Sequence, residues 1–551
     1  MKIFRLCSVL VLGLLAMATA CSEEDPATPP SNQAPPVPIL DSQGRPTELT
    51  CPGDPGCEVA SGPLRVGVAA VPITPEVIET YTDLDNNGYF DEAKEPFDDK
   101  NGNGKMDGAW LAGFGIGRAA TGVHDDAWAR ALTFTQGELS VALVSLDLIG
   151  LFHERVVKIR ERAKERGLDF DHIMVATTHV HETKDTMGMW GPAPLVSGID
   201  EGYMSFLTEK VVDALEEAKK KERIASMKIA RGEAPQLVND TRQPIVIDQG
   251  IYTLQFLDEG LQPFATMVTW GNHPEALGSS NTLLTSDFPH YLRGTLEARF
   301  PGSTAVYFNG CLGGLTTTIG IVGCPDAEGK DTCPQGTFER AEYVGRGAGD
   351  AAIAAIEAPT AQLIPSPTLA VRRRVFLASA TNSGLALLVS AGVLPRQLYH
   401  VDGTPATPEE LKGLTFKDLT SPDAPFRITS EVNAIEIGPV VIATAPGELY
   451  AELWLAREDG ASYAETPPEG DFAGETNLPP MSGLFPSTAS MKLIINNAND
   501  ALGYIIPKPQ WDTKKPYAYG KTGNPQYGEE NSVGHDMAPT LFSAYQRLYG
   551  E

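Results

Sequence analysis

Beyond its first twenty residues the sequence holds no apolar run long enough to span a bilayer, so nothing downstream reads as a transmembrane helix. Positive charge is scarce. Lys and Arg number 43 against 71 Asp and Glu, a formal net charge of −28. That shortage excludes a nucleic-acid binder, which needs a basic footprint to meet phosphates. It also excludes broad electrostatic adhesion to an anionic lipid surface. No fixed-period repeat and no heptad array is present, so neither a solenoid nor a coiled coil is expected. What is there suffices for a packed core: 42% of residues are hydrophobic and 21% charged, which rules out global disorder. A length of 551 residues fits two to four domains, or one large α/β unit with attachments.

The N-terminus sets the compartment. Lys2 and Arg5 precede an apolar stretch, and Ala18-Thr19-Ala20 close it, the pattern of a secretory signal over residues 1–20. Cys21 follows at once, and the arrangement resembles a bacterial lipoprotein signal in which that cysteine becomes the lipidated first residue; ordinary secretion is the alternative. The expected location is therefore the cell envelope, with a membrane anchor made of acyl chains, or the exterior. Losing Lys2 and Arg5 makes the mature chain more acidic still. Residues 21–63 are rich in Pro, Ser and acids and read as a tether. Cys51 and Cys57 bracket one short loop, Cys324 and Cys333 another, and an exported protein can oxidise both pairs. Neither pair has the two-residue spacing usual for a four-cysteine zinc site. Cys311 is left over as a small buried residue.

From Leu64 onward β-like runs alternate with helical stretches. LRVGVAAV, LSVALVSLDLIG, HIMVATTH, PFATMVTWGNH, STAVYFNG and VVIATAP are short, β-branched and apolar, and each ends in small or polar residues. Amphipathic stretches lie between them, notably 153–167 and 203–223. The expected class is α/β: a large mixed-sheet unit over 64–551 with helices on its faces and functional groups beyond the carboxyl ends of strands.

Two segments stand out chemically. DLDNNGYFD (83–91) and DKNGNGKMD (99–107) both place Asp or Asn at positions 1, 3, 5 and 9 with Gly at position 6. Hard cations need several converging oxygens, and the Gly permits the sharp turn that brings them together. Asp83, Asp85, Asn87 and Asp91 form one candidate calcium set; Asp99, Asn101, Asn103 and Asp107 form the other. Neither has a Glu at position 12, although Glu95 sits one place beyond it. A structural calcium insertion over 83–107 is expected.

Apart from these loops, His179 and His181 stand as a pair in THVH. On an extended strand a spacing of two would put both imidazoles on one face. His273 ends PFATMVTWGNH, Glu448 follows VVIATAPG, and Tyr504 lies in NDALGYIIP. Two His, a carboxylate and a phenol make a plausible zinc set with room for water or substrate.

The order of VGVAAVPITP, GVHDDAWARAL, VSLDLIG, THVH, NHP, PGE and GY along 64–551 resembles the neutral/alkaline, non-lysosomal ceramidases. That resemblance implies a zinc-dependent amidase splitting ceramide into a sphingoid base and a fatty acid. It implies His179, His273, Glu448 and Tyr504 as zinc ligands and His181 as an acid/base or oxyanion group. Zinc lowers the pKa of water it binds to ~7 and polarises an amide carbonyl, and proton delivery to the leaving nitrogen falls to His181 or Tyr504. His124 either lines the pocket or holds a structural hydrogen bond. Asp147 either orients a ligating His or is a satisfied strand-end carboxylate.

The chain departs from the family in three places. The Gly-Asp-x-Ser-Pro stretch becomes NGCLGGLTTT, with Gly314 for Asp, Thr316 for Ser and no following Pro. Thr316 is the candidate for the family's hydroxyl, or a loop residue. THVH continues as HETKDTMGMWG, and with few residues after Tyr504, the family's C-terminal immunoglobulin-like sandwich is not expected here. The expected substrate is thus a lipid or other N-acyl amide. A zinc hydrolase of a different amide or ester, or a calcium-stabilised surface lipoprotein without catalysis, are the alternatives.

Overall fold

A computed structural model describes residues 48–549 except 55–56, 58–59 and 422. The signal segment, Cys21 and nearly all of the tether lie outside the described residues.

Three open sheets carry the fold. In the first, strands His172–Thr177, Leu139–Leu146, Trp128–Gln136, Arg65–Pro72 and Arg223–Ile224 lie in that order. The second runs Thr304–Asn309, Pro263–Trp270, Gly250–Leu257, Ser226–Glu233, Gln362–Ile364. The third runs Glu48–Cys51, Leu369–Ala378, Phe426–Ile437, Val440–Thr444, Met491–Ile495, with Leu398–His400 added beside Phe426–Ile437. All three are mixed and share one design: antiparallel pairing throughout except for a single parallel pair at one edge. Those parallel pairs are Leu139–Leu146 with His172–Thr177, Pro263–Trp270 with Thr304–Asn309, and Val440–Thr444 with Met491–Ile495. The expected α/β class holds, with the mixed sheet divided into three.

Burial explains why these strands read as unbroken apolar runs rather than alternating ones. Leu139–Leu146, His172–Thr177 and Val440–Thr444 are buried at every position, as happens when both faces of a sheet are covered. One face of each sheet enters a common core: Leu143 and Met174 from the first, Met267 and Phe308 from the second, Ile442 and Leu493 from the third. The outer faces are covered by helices. His153–Glu165 and Glu201–Lys220 pack on the first sheet through Val156, Ile159, Leu207 and Val211. Phe288–Arg299 and Phe338–Glu357 cover the second through Leu292, Leu296, Val344 and Ala348. Asp200 caps its helix by accepting from the Gly202 and Tyr203 N–H groups, which satisfies two of the orphan donors of the first turn.

Both expected cysteine pairs are disulfides, Cys51–Cys57 and Cys324–Cys333, and Cys311 is free and buried. Among the described residues no helix is long and apolar enough to cross a membrane.

Candidate metal centre

The three parallel edges point their carboxyl ends at one place. His179 and His181 follow His172–Thr177, His273 follows Pro263–Trp270, and Glu448 follows Val440–Thr444. Tyr504 comes after Met491–Ile495, the parallel partner of the Glu448 strand. Glu448–Leu449 and Tyr504–Ile505 then pair in parallel, with Glu448 directly opposite Tyr504. The glycines before them make this approach feasible. The Glu448 N–H donates to the Gly503 carbonyl at 2.9 Å, and a Cβ on Gly447 would collide with that same oxygen.

His179 and His181 come together by a route other than the expected strand alternation. The strand ends at Thr177, and His179 has φ 63, the left-handed region that a branched-Cβ-free but non-glycine residue enters only at some cost. The chain turns there, and the two rings stand 5.0 Å apart edge to face. One ligand atom from each of His179, His181 and His273 lies within 4.8 Å of the others, so this trio could hold a metal ion.

The ring nitrogens are sorted by backbone carbonyls. His179 Nδ1 lies 2.7 Å from the Ile149 oxygen and His273 Nδ1 lies 2.6 Å from the Thr316 oxygen. With Nδ1–H donated, both Nε2 atoms face Glu448 Oε2, at 3.4 Å from His179 and 3.0 Å from His273. The Tyr504 hydroxyl stands 3.4 Å from the same His273 Nε2. A carboxylate facing two imidazole lone pairs is repulsive unless a proton or a cation lies between them. The charge pattern says the same. Burial pushes the Glu448 carboxyl up, but the facing His179 and His273 rings reverse this and hold it below the usual range. Burial pushes His273 down, and Glu448 turns the balance so that its pKa is raised. Burial, assisted by His179 and His273, holds His181 well below its ordinary value, and both of its ring nitrogens are buried without a hydrogen-bond partner. Burial and then Glu448 push Tyr504 well up. Two imidazoles with their outer nitrogens locked, a carboxylate and a phenol fit zinc by donor type and number.

Other sequence candidates fall elsewhere. The Thr316 hydroxyl turns to the Cys311 and Leu312 carbonyls at 3.2 and 3.1 Å; what Thr316 gives the centre is its own carbonyl, on His273. Asp147 orients no imidazole. Arg293 clamps it at 2.8 and 2.9 Å, and Ser286, the Trp128 N–H and Thr178 donate further bonds to it, so it is the satisfied strand-end carboxylate. His124 bonds Asp125 at 2.8 Å and stacks on Phe338 at 3.7 Å, a structural arrangement outside the group.

Sequence reading gave no role to Glu275, Glu182 or Arg118. The first is buried, and burial raises its pKa. Arg118 and Glu182 form a buried pair, and Arg118 also donates to the His181 carbonyl at 2.9 Å. The acids next to the motif histidines, in HVHE and NHPE, were the available signal.

In the acidic insertion, Asp83, Asp85 and Glu95 bring oxygens within 4.8 Å of one another. Glu95 thus fills the place position 12 lacked, accepting from Leu84 and Asp91 N–H at 3.0 and 2.9 Å. Asp91 itself is turned to Ala93 and Lys94. The second loop has the same pattern from an unexpected source: upstream Glu79 accepts from Lys100 and Asp107 N–H at 3.0 and 2.7 Å. Asp99 takes the Gly102, Asn103 and Gly104 N–H groups, and Asn101 and Asn103 amides donate to Asp107. The insertion leans on the centre. Phe90 N–H donates to Gly117 at 2.8 Å, Tyr89 fills the space beside Gly115, and Phe114 meets His181 edge to face at 5.1 Å.

No protein-family description and no curated protein matches this sequence. Solved structures do match in shape. Neutral ceramidase from Pseudomonas aeruginosa superposes with a TM-score of 0.59 at 14% identity, over 88% of this chain and 73% of that one. A ceramidase complexed with C2 gives 0.57 at 14% identity, over 88% and 74%. The three-sheet α/β architecture of this chain is a ceramidase-like fold.

Proposed function

We propose that this chain is a zinc-dependent amidohydrolase cleaving the amide of ceramide, or of a related N-acyl lipid, to a sphingoid base and a fatty acid. The observation that carries the reading is the convergence of His179 Nε2, His273 Nε2, Glu448 and Tyr504 with both Nδ1 atoms tied to carbonyls. The ceramidase-like fold supports the substrate class.

A zinc ion held there would supply Lewis acidity toward the amide carbonyl and lower the pKa of water. The chain's own residues do the rest. Ile149 and Thr316 carbonyls keep the two outer imidazole protons away from the centre, so both Nε2 lone pairs stay directed inward. Burial excludes bulk water and strengthens every polar contact. His181, beside His179, takes up the proton that the attacking water gives up and passes it to the leaving nitrogen, with the Tyr504 hydroxyl as the second donor.

Around this catalytic unit, taken as residues 64–551, we place calcium in the acidic insertion. Asp83, Asp85, Asn87 and Glu95 form one set; Asp99, Asn101, Asn103 and Asp107 with Glu79 form the other. Export by residues 1–20 and lipidation at Cys21 rest on sequence and would bring the enzyme to its lipid substrate.

The test is zinc analysis of the purified protein joined to hydrolysis of a fluorescent N-acyl sphingosine. Bound zinc is expected, with hydrolysis lost in His179→Ala and His273→Ala. A protein that takes up no zinc is not this enzyme; one that binds zinc and cleaves simple acyl amides but not ceramide is a hydrolase of another substrate.

A further inference from the structure

Three imidazoles meet at the centre, and only two have their Nδ1 accounted for. His179 and His273 are tied to carbonyls at 2.7 and 2.6 Å. His181 is buried with neither ring nitrogen hydrogen-bonded. Its neighbours are mostly unable to help. Phe114 offers a ring edge and the other two histidines offer rings. Gly113 presses against the His181 Cβ and Cγ positions so closely that a side chain there would collide at 2.5 Å. Arg118 is spent on the His181 carbonyl rather than the ring. Among the described residues, the carboxylate within ion-pair distance of a His181 ring nitrogen is Glu275, whose Oε2 stands 3.9 Å from Nδ1.

Glu275 is held as an orienting group would be. Thr317 Oγ1 donates to its Oε1. Its N–H donates to the His273 carbonyl at 2.9 Å, and its own carbonyl accepts from Gln335 Nε2 at 2.9 Å. The backbone and one carboxylate oxygen are therefore fixed, and the other oxygen is directed at the one imidazole that lacks a partner. A movement of roughly 1 Å closes the gap to hydrogen-bond length, and such contacts are commonly long before substrate is bound.

We propose that Glu275 is a positioning residue for His181: it accepts the Nδ1 proton and thereby fixes the ring so that Nε2 faces the reacting amide. All three imidazoles then follow one rule, with Nδ1 tied outward and Nε2 turned inward, and a carboxylate serves the ring that is not a zinc ligand. This proposal rests on the hydrolase reading above and adds to it a Thr317–Glu275–His181 relay of orientation.

The experiment is Glu275→Gln in the full-length protein. The expected result is a kcat lower by about 10–100-fold with KM within about twofold and zinc content unchanged. Adding Glu275→Gln to His181→Ala costs nothing further, because the two act as one unit. A downfield imidazole N–H resonance absent from His181→Ala disappears from Glu275→Gln as well. Unchanged kcat, a loss that tracks lost zinc, or full additivity with His181→Ala overturns the proposal. If Glu275→Gln does not fold, Thr317→Val frees Oε1 isosterically, and an unchanged kcat in that variant overturns it equally. Should the native protein bind no zinc and cleave no N-acyl amide, the hydrolase reading falls on its own. The resonance then decides the pair: its loss in Glu275→Gln upholds the contact, and its persistence overturns it.

Discussion

Replacing Glu448 by Gln takes one negative charge from the point where two imidazoles meet while keeping the size of the side chain. Glu448 Oε2 faces His179 Nε2 at 3.4 Å and His273 Nε2 at 3.0 Å, so it is the atom common to both. Protein zinc sites are worth ~10–16 kcal/mol, and divided among four donors that is about 3 kcal/mol each, or roughly 100-fold in affinity. Without metal the change is milder. A Gln amide can donate to one imidazole lone pair, which the carboxylate cannot do, so the metal-free protein keeps most of its stability. The two effects separate in a thermal titration with zinc. At a zinc concentration 100 times the native Kd, the native protein gains ~2.7 kcal/mol, whereas a site 100-fold weaker gains only ~0.4 kcal/mol. Chelator-competition titration gives the affinities directly. Equal zinc-induced stabilisation of the two proteins would refute the placement of Glu448 in the donor set.

Thr316→Val should alter hydrolysis by no more than about the ~1 kcal/mol of a lost hydrogen bond, because its hydroxyl serves the Cys311 and Leu312 carbonyls; abolished turnover with intact zinc would restore a catalytic hydroxyl. Gly113→Ala places a Cβ 2.5 Å from His181 at φ 99, and should cost about 1–3 kcal/mol in stability along with most of the activity, read by denaturant melts and turnover. Arg293→Met strands the buried Asp147 carboxylate and should destabilise by ~3–5 kcal/mol, while zinc affinity of the folded fraction stays native. Burial raises the Asp240 carboxyl to about 7 from 3.8. The folded state therefore holds a proton there that the unfolded state has lost, and stability falls as pH rises from ~4 to ~7. Asp240→Asn should remove that slope, so its stability relative to native improves from pH 5 to pH 8 by ~2.7 kcal/mol; parallel pH–stability curves would contradict this.

How far the chain could be read in advance differs from residue to residue. Leu139–Leu146, His172–Thr177 and Val440–Thr444 were legible because continuous burial demands continuous apolar sequence. Helices at 153–167 and 203–223 were legible from their period, and they run His153–Glu165 and Glu201–Lys220. That the sheet is three sheets was not legible. Which strands share hydrogen bonds is a matter of long-range pairing, and short apolar runs look alike whichever neighbour they take. The proximity of His179 and His181 was expected, but for a reason the backbone overrides, since the strand stops before them and His179 turns at positive φ.

The site shows the same division. Residue types suited to zinc and to calcium are local chemistry, visible as His-x-His, Pro-Gly-Glu and spaced acids without any fold. Partners are another matter. Glu79 reaches the second acidic loop from 20 residues upstream of Asp99, Glu275 aims at a ring on a different sheet, and Thr316 offers its carbonyl rather than its hydroxyl. The sequence by itself determined the acidic balance, the α/β class and the donor types, because each is a property of composition, period or short spacing. Only the tertiary structure decided which donors face one another and which nitrogen of each imidazole is tied. Those choices come from three parallel edges ending at one point, and no local segment contains that geometry.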